Sequence, residues 1–139
     1  MSVKKKINGV VIILPSGAEN VKIKSLDEIF KVNVKRGDYL VAFRLKEYQY
    51  LVLLELTGIP EIEDIKRLRR VEEEIRSCGC CGKKINMFTI LIVHHKGGVR
   101  SPLINCARAE KVELCRCSTE IDLCRLLIKR GILPFSQIE

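Results

Sequence analysis

An α/β fold, a mixed sheet with helices packed on it, is what the sequence predicts, and three observations lead there. Residues 38–57 read as two long apolar strands folded back as a hairpin, Glu61 to Ser77 repeats its apolar residues at helical spacing, and the remainder alternates strand with helix. With 139 residues and 47% hydrophobic content there is material for one packed core, so the expectation is a single domain spanning 1–139. No internal repeat or low-complexity segment interrupts it.

The elements follow in order. Val10 to Leu14 is a short apolar strand, Pro15 to Asn20 is turn chemistry, and Val21-Lys22-Ile23-Lys24 alternates as a half-exposed partner, which predicts an N-terminal hairpin. Ser25 can cap a helical turn over Leu26 to Phe30, and Lys31 to Gly37 lead into the strand opened by Asp38. Together these form an antiparallel meander closed by Gly58-Ile59-Pro60. In the helix from Glu61 to Ser77, Ile62, Ile65, Leu68, Val71 and Ile75 share a face, and Glu61, Glu63 and Asp64 complement the dipole of the first turn. This crossover helix leads to a parallel β-α-β-α half. Phe88 to Val93 is a continuous apolar run, as in a strand covered on both faces. Ser101-Pro102 open a helix as N-cap and first residue, Val112 to Cys117 form a strand, and Ser118 or Thr119 caps a last helix that Gly131 stops.

Composition narrows the setting. The longest apolar runs, such as Met87 to Val93, fall far short of the ~18 residues of a membrane span, and MSVKKK is not followed by a signal-type apolar segment. A soluble, cytoplasmic protein with no membrane partner is therefore expected. The absence of Trp, the presence of Gln only at 49 and 137, and the abundance of Ile, Lys, Arg and Glu lean toward a thermophile, in which intracellular disulfides are also permitted. The net charge of +8 is unevenly distributed, with basic outer portions around an acidic stretch over 51–76. Such a surface draws in polyanions and so favours nucleic acid, although a solvated charged exterior reads the same way.

The hairpin carries an acid at each end, Asp38 on its first strand and Glu55 on its second. Antiparallel strands bring such ends side by side, and two carboxylates at one sheet edge suit a hard cation, Mg²⁺ or Mn²⁺. An Asp after Gly and a Glu before a Thr-Gly turn are also ordinary turn chemistry. Hairpin strands with Asp at one end and Glu-x-Lys at the other, followed by a helix and a buried strand, resemble the core of the PD-(D/E)XK nuclease superfamily, which includes restriction enzymes and archaeal Holliday-junction resolvases. The resemblance runs from about Ser25 to Val93, with an extension to Ile128 through the later strand-helix pairs, and implies a restriction-endonuclease-like sheet, DNA as the favoured partner, and Asp38 and Glu55 as metal ligands with Glu28 as a further acid. Thr57 stands at the position of the motif lysine, which positions or activates the attacking water in the family. It follows that the resemblance implies either metal-dependent phosphodiester cleavage or an inactivated derivative. Lys35, Arg36 and Lys46 are candidates to replace the missing cation.

Seven cysteines form a second constellation. Cys78 and Cys81 lie in a Cys-x-x-Cys-Gly unit like half of a zinc knuckle, and Cys115 with Cys117, or His94 or His95, could complete a Zn²⁺ site. Disulfides among the same residues, or inert thiols, are equally consistent with the spacing. Cys106 and Cys124 fall on apolar helix faces and read as small core residues. The loop 94–101 and Ser118-Thr119 lie at C-terminal strand ends, where helix N-termini attract anions, but Gly97-Gly98 makes no phosphate-loop fingerprint. The sequence thus points to a nucleic-acid-binding protein on a nuclease-like core. The alternative is a non-enzymatic module, cysteine-stapled or zinc-stabilised, that binds protein or nucleic acid, with a homodimer or a protein partner as further expectations.

Overall fold

The computed structural model describes residues 3–26, 38–77, 85–93, 99–116 and 119–133; within 85–93 it describes the backbone and the side chain of Thr89. The elements are β1 (Val3–Ile7), β2 (Val10–Leu14), β3 (Glu19–Ser25), β4 (Asp38–Leu45), β5 (Tyr48–Thr57), α1 (Ile62–Ser77), β6 (Ile85–Val93), α2 (Ser101–Ala109), β7 (Glu113–Arg116), β8 (Glu120–Asp122) and α3 (Leu123–Lys129). The α/β class holds. The strands form two sheets, one of five in the order β3-β4-β5-β6-β7 and one of three in the order β1-β2-β8.

The larger sheet matches the expected plan: β3, β4 and β5 are an antiparallel meander, and β6 and β7 extend it in parallel. Helices α1 and α2 make the connections that parallel neighbours require. Each face of β5 is buried. Val52 and Leu54 point to one core, shared with Val41, Phe43 and Leu45 of β4, with Ile12 and Leu14 of β2, and with Leu123 and Leu127 of α3. Leu53 points the other way, to Ile65, Leu68 and Val71 of α1 and Leu103 and Ala107 of α2. Three layers result, with the five-stranded sheet in the middle. Across the hairpin, Phe43 and Tyr50 are register partners and their rings stack at 5.2 Å.

Three expectations are corrected. The N-terminal hairpin does not pair Val10–Leu14 with Val21–Lys24, because β2 and β3 belong to different sheets. Instead β2 pairs with β1, joined by Asn8-Gly9 with both residues at positive φ. That two-residue turn matches the twist of the strands, whereas the four-residue link Pro15 to Ala18 lets the chain cross to the other sheet. The last helix is not capped by Ser118 or Thr119, since 120–122 add β8 in parallel to β2 and Asp122 is the cap, accepting from the Arg125 backbone N–H at 3.1 Å. In α2 the N-cap is Arg100, one residue before the expected Ser101. Asp122→Ala should lower stability by about 1 kcal/mol in urea unfolding, the usual loss for a side-chain cap. An unchanged midpoint would show that the cap contributes nothing here.

Both later helices end alike. After α2, Val112 N–H donates to the Ala107 carbonyl and Lys111 N–H to that of Arg108; after α3, Ile132 and Gly131 do the same to Leu127 and Ile128. In each the residue past the cap has positive φ, Gly131 at 75° and Lys111 at 58°. Glycine is the usual occupant of that position, and lysine there is the exception. No helix among the described residues is long and apolar enough to cross a membrane.

Candidate functional site

Asp38 and Glu55 are direct register partners across β4 and β5. Side chains alternate along a strand, so Glu55 lies on the same face as Leu53, the face covered by α1. Both acids are buried, Asp38 at 0% and Glu55 at 1% exposure. The structure therefore brings together the two residues singled out by the sequence. It also adds one that was not singled out, Arg67 of α1, which faces them from the helix.

Arg67 Nε donates to Asp38 Oδ2 at 2.9 Å and Nη2 to Asp38 Oδ1 at 3.0 Å, a bidentate grip on one carboxylate. The same Nη2 donates to Glu55 Oε2, and Nη1 donates to Asp64 Oδ1 at 2.9 Å. Asp64 has a second task. Its Oδ2 accepts the Glu61 backbone N–H at 2.8 Å, the reach back from the third helical residue that forms one half of a capping box. The helix start thus fixes one acid, and one turn later on the same face stands the arginine that binds all three.

The electrostatics follow from burial. Glu55 is pushed up to about 8 by its removal from water and then by the negative charges of Asp38 and Asp64, while Arg67 pulls the other way. At neutral pH Glu55 is mostly protonated, and a hydrogen bond with Asp38 favours that form. Burial disfavours the Arg67 charge, but its hydrogen bonds to Asp38 and Asp64 outweigh this and hold its pKa above the ordinary value.

Thr57, half-buried at the end of β5, is engaged in its own turn: its Oγ1 accepts from the Ile59 N–H and donates to the Ile59 carbonyl, both at 3.3 Å. Lys46 lies in the turn at the far end of the hairpin, so it is remote from the acids. Lys24 is nearer, paired with Leu40 two residues from Asp38. Glu28, Lys35, Arg36, His94, His95, Cys78, Cys81 and Cys117 lie outside the described residues. Cys115 is a half-buried thiol packed on the core with β2 and α3, and burial raises its pKa, as it does that of Cys124. Among the described residues no group of three or more His, Cys, Asp or Glu is arranged to hold a metal ion.

Beside the cluster, beyond the end of β5, opens a cleft of about 680 Å³ lined by residues 58–63 and by Val99, Arg100, Pro102 and Leu103. It lies between the β5–α1 connection and the start of α2, where open α/β sheets collect ligands. Glu61 joins it to the acids through its bond to Asp64. Exposed lysines line the two sheet edges, Lys4 to Lys6 on β1 and Lys22 and Lys24 on β3. Compared with known proteins, the chain matches no family model, no curated protein and no solved structure.

Proposed function

We propose that the chain is a nucleic-acid-binding protein on a nuclease-like core in which Arg67 holds the acid pair, so that it binds a polyanion without cleaving it. The observation that carries this reading is the single guanidinium bonded to both Asp38 and Glu55. A meander, a helix and a parallel strand, with Asp38 opening the second strand of the meander and Glu55 near the end of the third, support the resemblance to PD-(D/E)XK nucleases. The site departs from that pattern at its chemistry. Both Asp38 oxygens are engaged by Arg67, a protonated Glu55 is a poor ligand, and a divalent ion added between them would sit against a fixed positive charge. As arranged, the residues fit a guanidinium and not Mg²⁺ or Mn²⁺. Thr57, turned into its own loop, gives no cation to orient a water.

Binding would then rest on charge. A net +8, with lysines on both sheet edges and Arg100 at the cleft, supports phosphate contacts of the kind that release counterions. Single-stranded, duplex and branched DNA titrated at about 50 and 200 mM salt should bind more weakly at the higher salt, by roughly tenfold for every two phosphate contacts. No strand should be cut in Mg²⁺ or Mn²⁺. Metal-dependent cleavage that Glu55→Ala abolishes would replace this reading with an active nuclease, and no binding at low salt would end it. A second reading, a protein-binding module, draws on Ile59, Ile62 and Ile104, which are exposed, two of them at the cleft.

A further inference from the structure

A second concavity of about 280 Å³ lies between α1, β6 and the C-terminal ends of α2 and α3. Arg69, Glu72 and Arg76 come from successive turns of α1, Lys111 from the end of α2, and Arg130 from the end of α3. Four cations and one acid line it, and Arg69 is paired in addition with Glu73 at 3.6 Å and with Glu110 at 4.0 Å. Glu72 is buried and accepts from Arg69 Nη1 and, at 3.1 Å, from Arg76 Nη2, so it fixes the two guanidinium groups on one side of the cavity. Each arginine carries five N–H donors, and this use leaves several of them over. Arg130 donates to the Lys111 carbonyl at 3.3 Å, tying the two helix ends together, and is shared with Glu113 at 3.5 Å.

The cavity wall also holds Thr89. Its side chain is buried, the residue being 2% exposed, and its hydroxyl has no hydrogen-bond partner among the described residues. A buried hydroxyl without a partner costs free energy, so one that persists beside a polar cavity points to a group that enters it. Lys111 adds a further sign. Its left-handed backbone would suit glycine better, as at Gly131 after α3, yet the position carries a long cationic side chain at the cavity.

We infer that this cavity binds a phosphate group, with Arg69, Arg76, Lys111 and Arg130 as its counter-charges and the Thr89 hydroxyl as a neutral donor. Planar guanidinium forks and an ammonium suit the oxygens of a phosphate dianion, and the volume holds such an anion with some of its water, each water taking about 30 Å³. The inference does not depend on the acid cluster or on how the protein meets nucleic acid. Free phosphate and a phosphate monoester at a chain end present the same chemistry here.

Titration of the full chain with inorganic phosphate, followed by amide chemical shifts and by calorimetry, should give saturable binding. Lys111→Gly should weaken it roughly tenfold and Thr89→Val roughly fivefold, the losses of a charged and a neutral donor. Neither variant should unfold, because glycine suits the left-handed position and valine replaces a hydroxyl that has no partner, so thermal unfolding is measured alongside. An oligonucleotide with a 5′-phosphate binding more tightly than its 5′-hydroxyl twin, with the difference lost in Lys111→Gly, identifies a monoester as the source. Equal binding of the two, with inorganic phosphate still sensitive to both variants, identifies the free anion. Phosphate binding that is absent, or that is the same in wild type and both variants, overturns the inference and leaves the cavity to water.

Discussion

Replacing Arg67 with methionine should lower stability by about 3–5 kcal/mol, the usual result of taking one partner from a buried ionic group. The cause is what stays behind. Asp38, Glu55 and Asp64 are all buried, and Arg67→Met takes away the cation to which all three are bonded. Methionine keeps most of the volume of the side chain, so little of the loss would come from an empty cavity. Arg67→Lys should recover only part of it, since an ammonium cannot span Asp38 bidentately and reach Glu55 and Asp64 as well. Urea midpoints of the three proteins at one pH would measure this. A loss below about 1 kcal/mol would mean that water reaches the acids in the folded protein, as at exposed pairs.

The same arginine explains why the acid pair was legible and its chemistry was not. Asp38 and Glu55 could be paired from the sequence because strand length and the turn between them set the register, and a one-residue slip would turn the buried face of β5 outward. Arg67 was hidden in a helix rich in charge, where Lys66, Arg69 and Arg70 look like equal candidates for solvent. One signal could have separated it. Arg67 lies between Ile65 and Leu68 and three residues from Asp64, on the stripe that also carries Val71, so an ion pair on the buried face was readable from helical period alone.

The missed strand β1 had a clearer sign. Asn8-Gly9 is a strong two-residue hairpin signal, and it outweighs the turn chemistry of the longer, polar stretch Pro15 to Asn20. Strand β8 had none. Three residues paired in parallel to β2, which lies more than a hundred residues earlier, are a tertiary choice that local propensity does not carry. The basic cavity belongs with it, since Arg69, Thr89, Lys111 and Arg130 meet only once α1, β6 and the ends of α2 and α3 are packed.

Stability should fall as pH rises from about 5 to above 8, and Glu55→Gln should remove that fall. Glu55 titrates near 8 in the folded protein against an ordinary 4.5, because burial and the charge of Asp38 disfavour its ionised form. Between those values the native state holds a proton that the unfolded chain has released. Raising the pH through the window therefore favours unfolding, by up to about 1.4 kcal/mol for each pH unit, and the effect is complete once Glu55 ionises in both states. Glutamine copies the protonated acid: its carbonyl can accept from Arg67 and its amide can donate to Asp38. At pH 7 the variant should thus lie within about 1 kcal/mol of wild type, far from the loss expected for Arg67→Met. The difference between the two proteins, and not the wild-type profile alone, is the quantity to follow, because it isolates the one group that was changed. Urea unfolding at half-unit steps from pH 5 to 9 would supply it. Parallel profiles would show that Glu55 is already ionised at neutral pH, and would return to Asp38 and Glu55 the paired negative charge that a divalent cation requires.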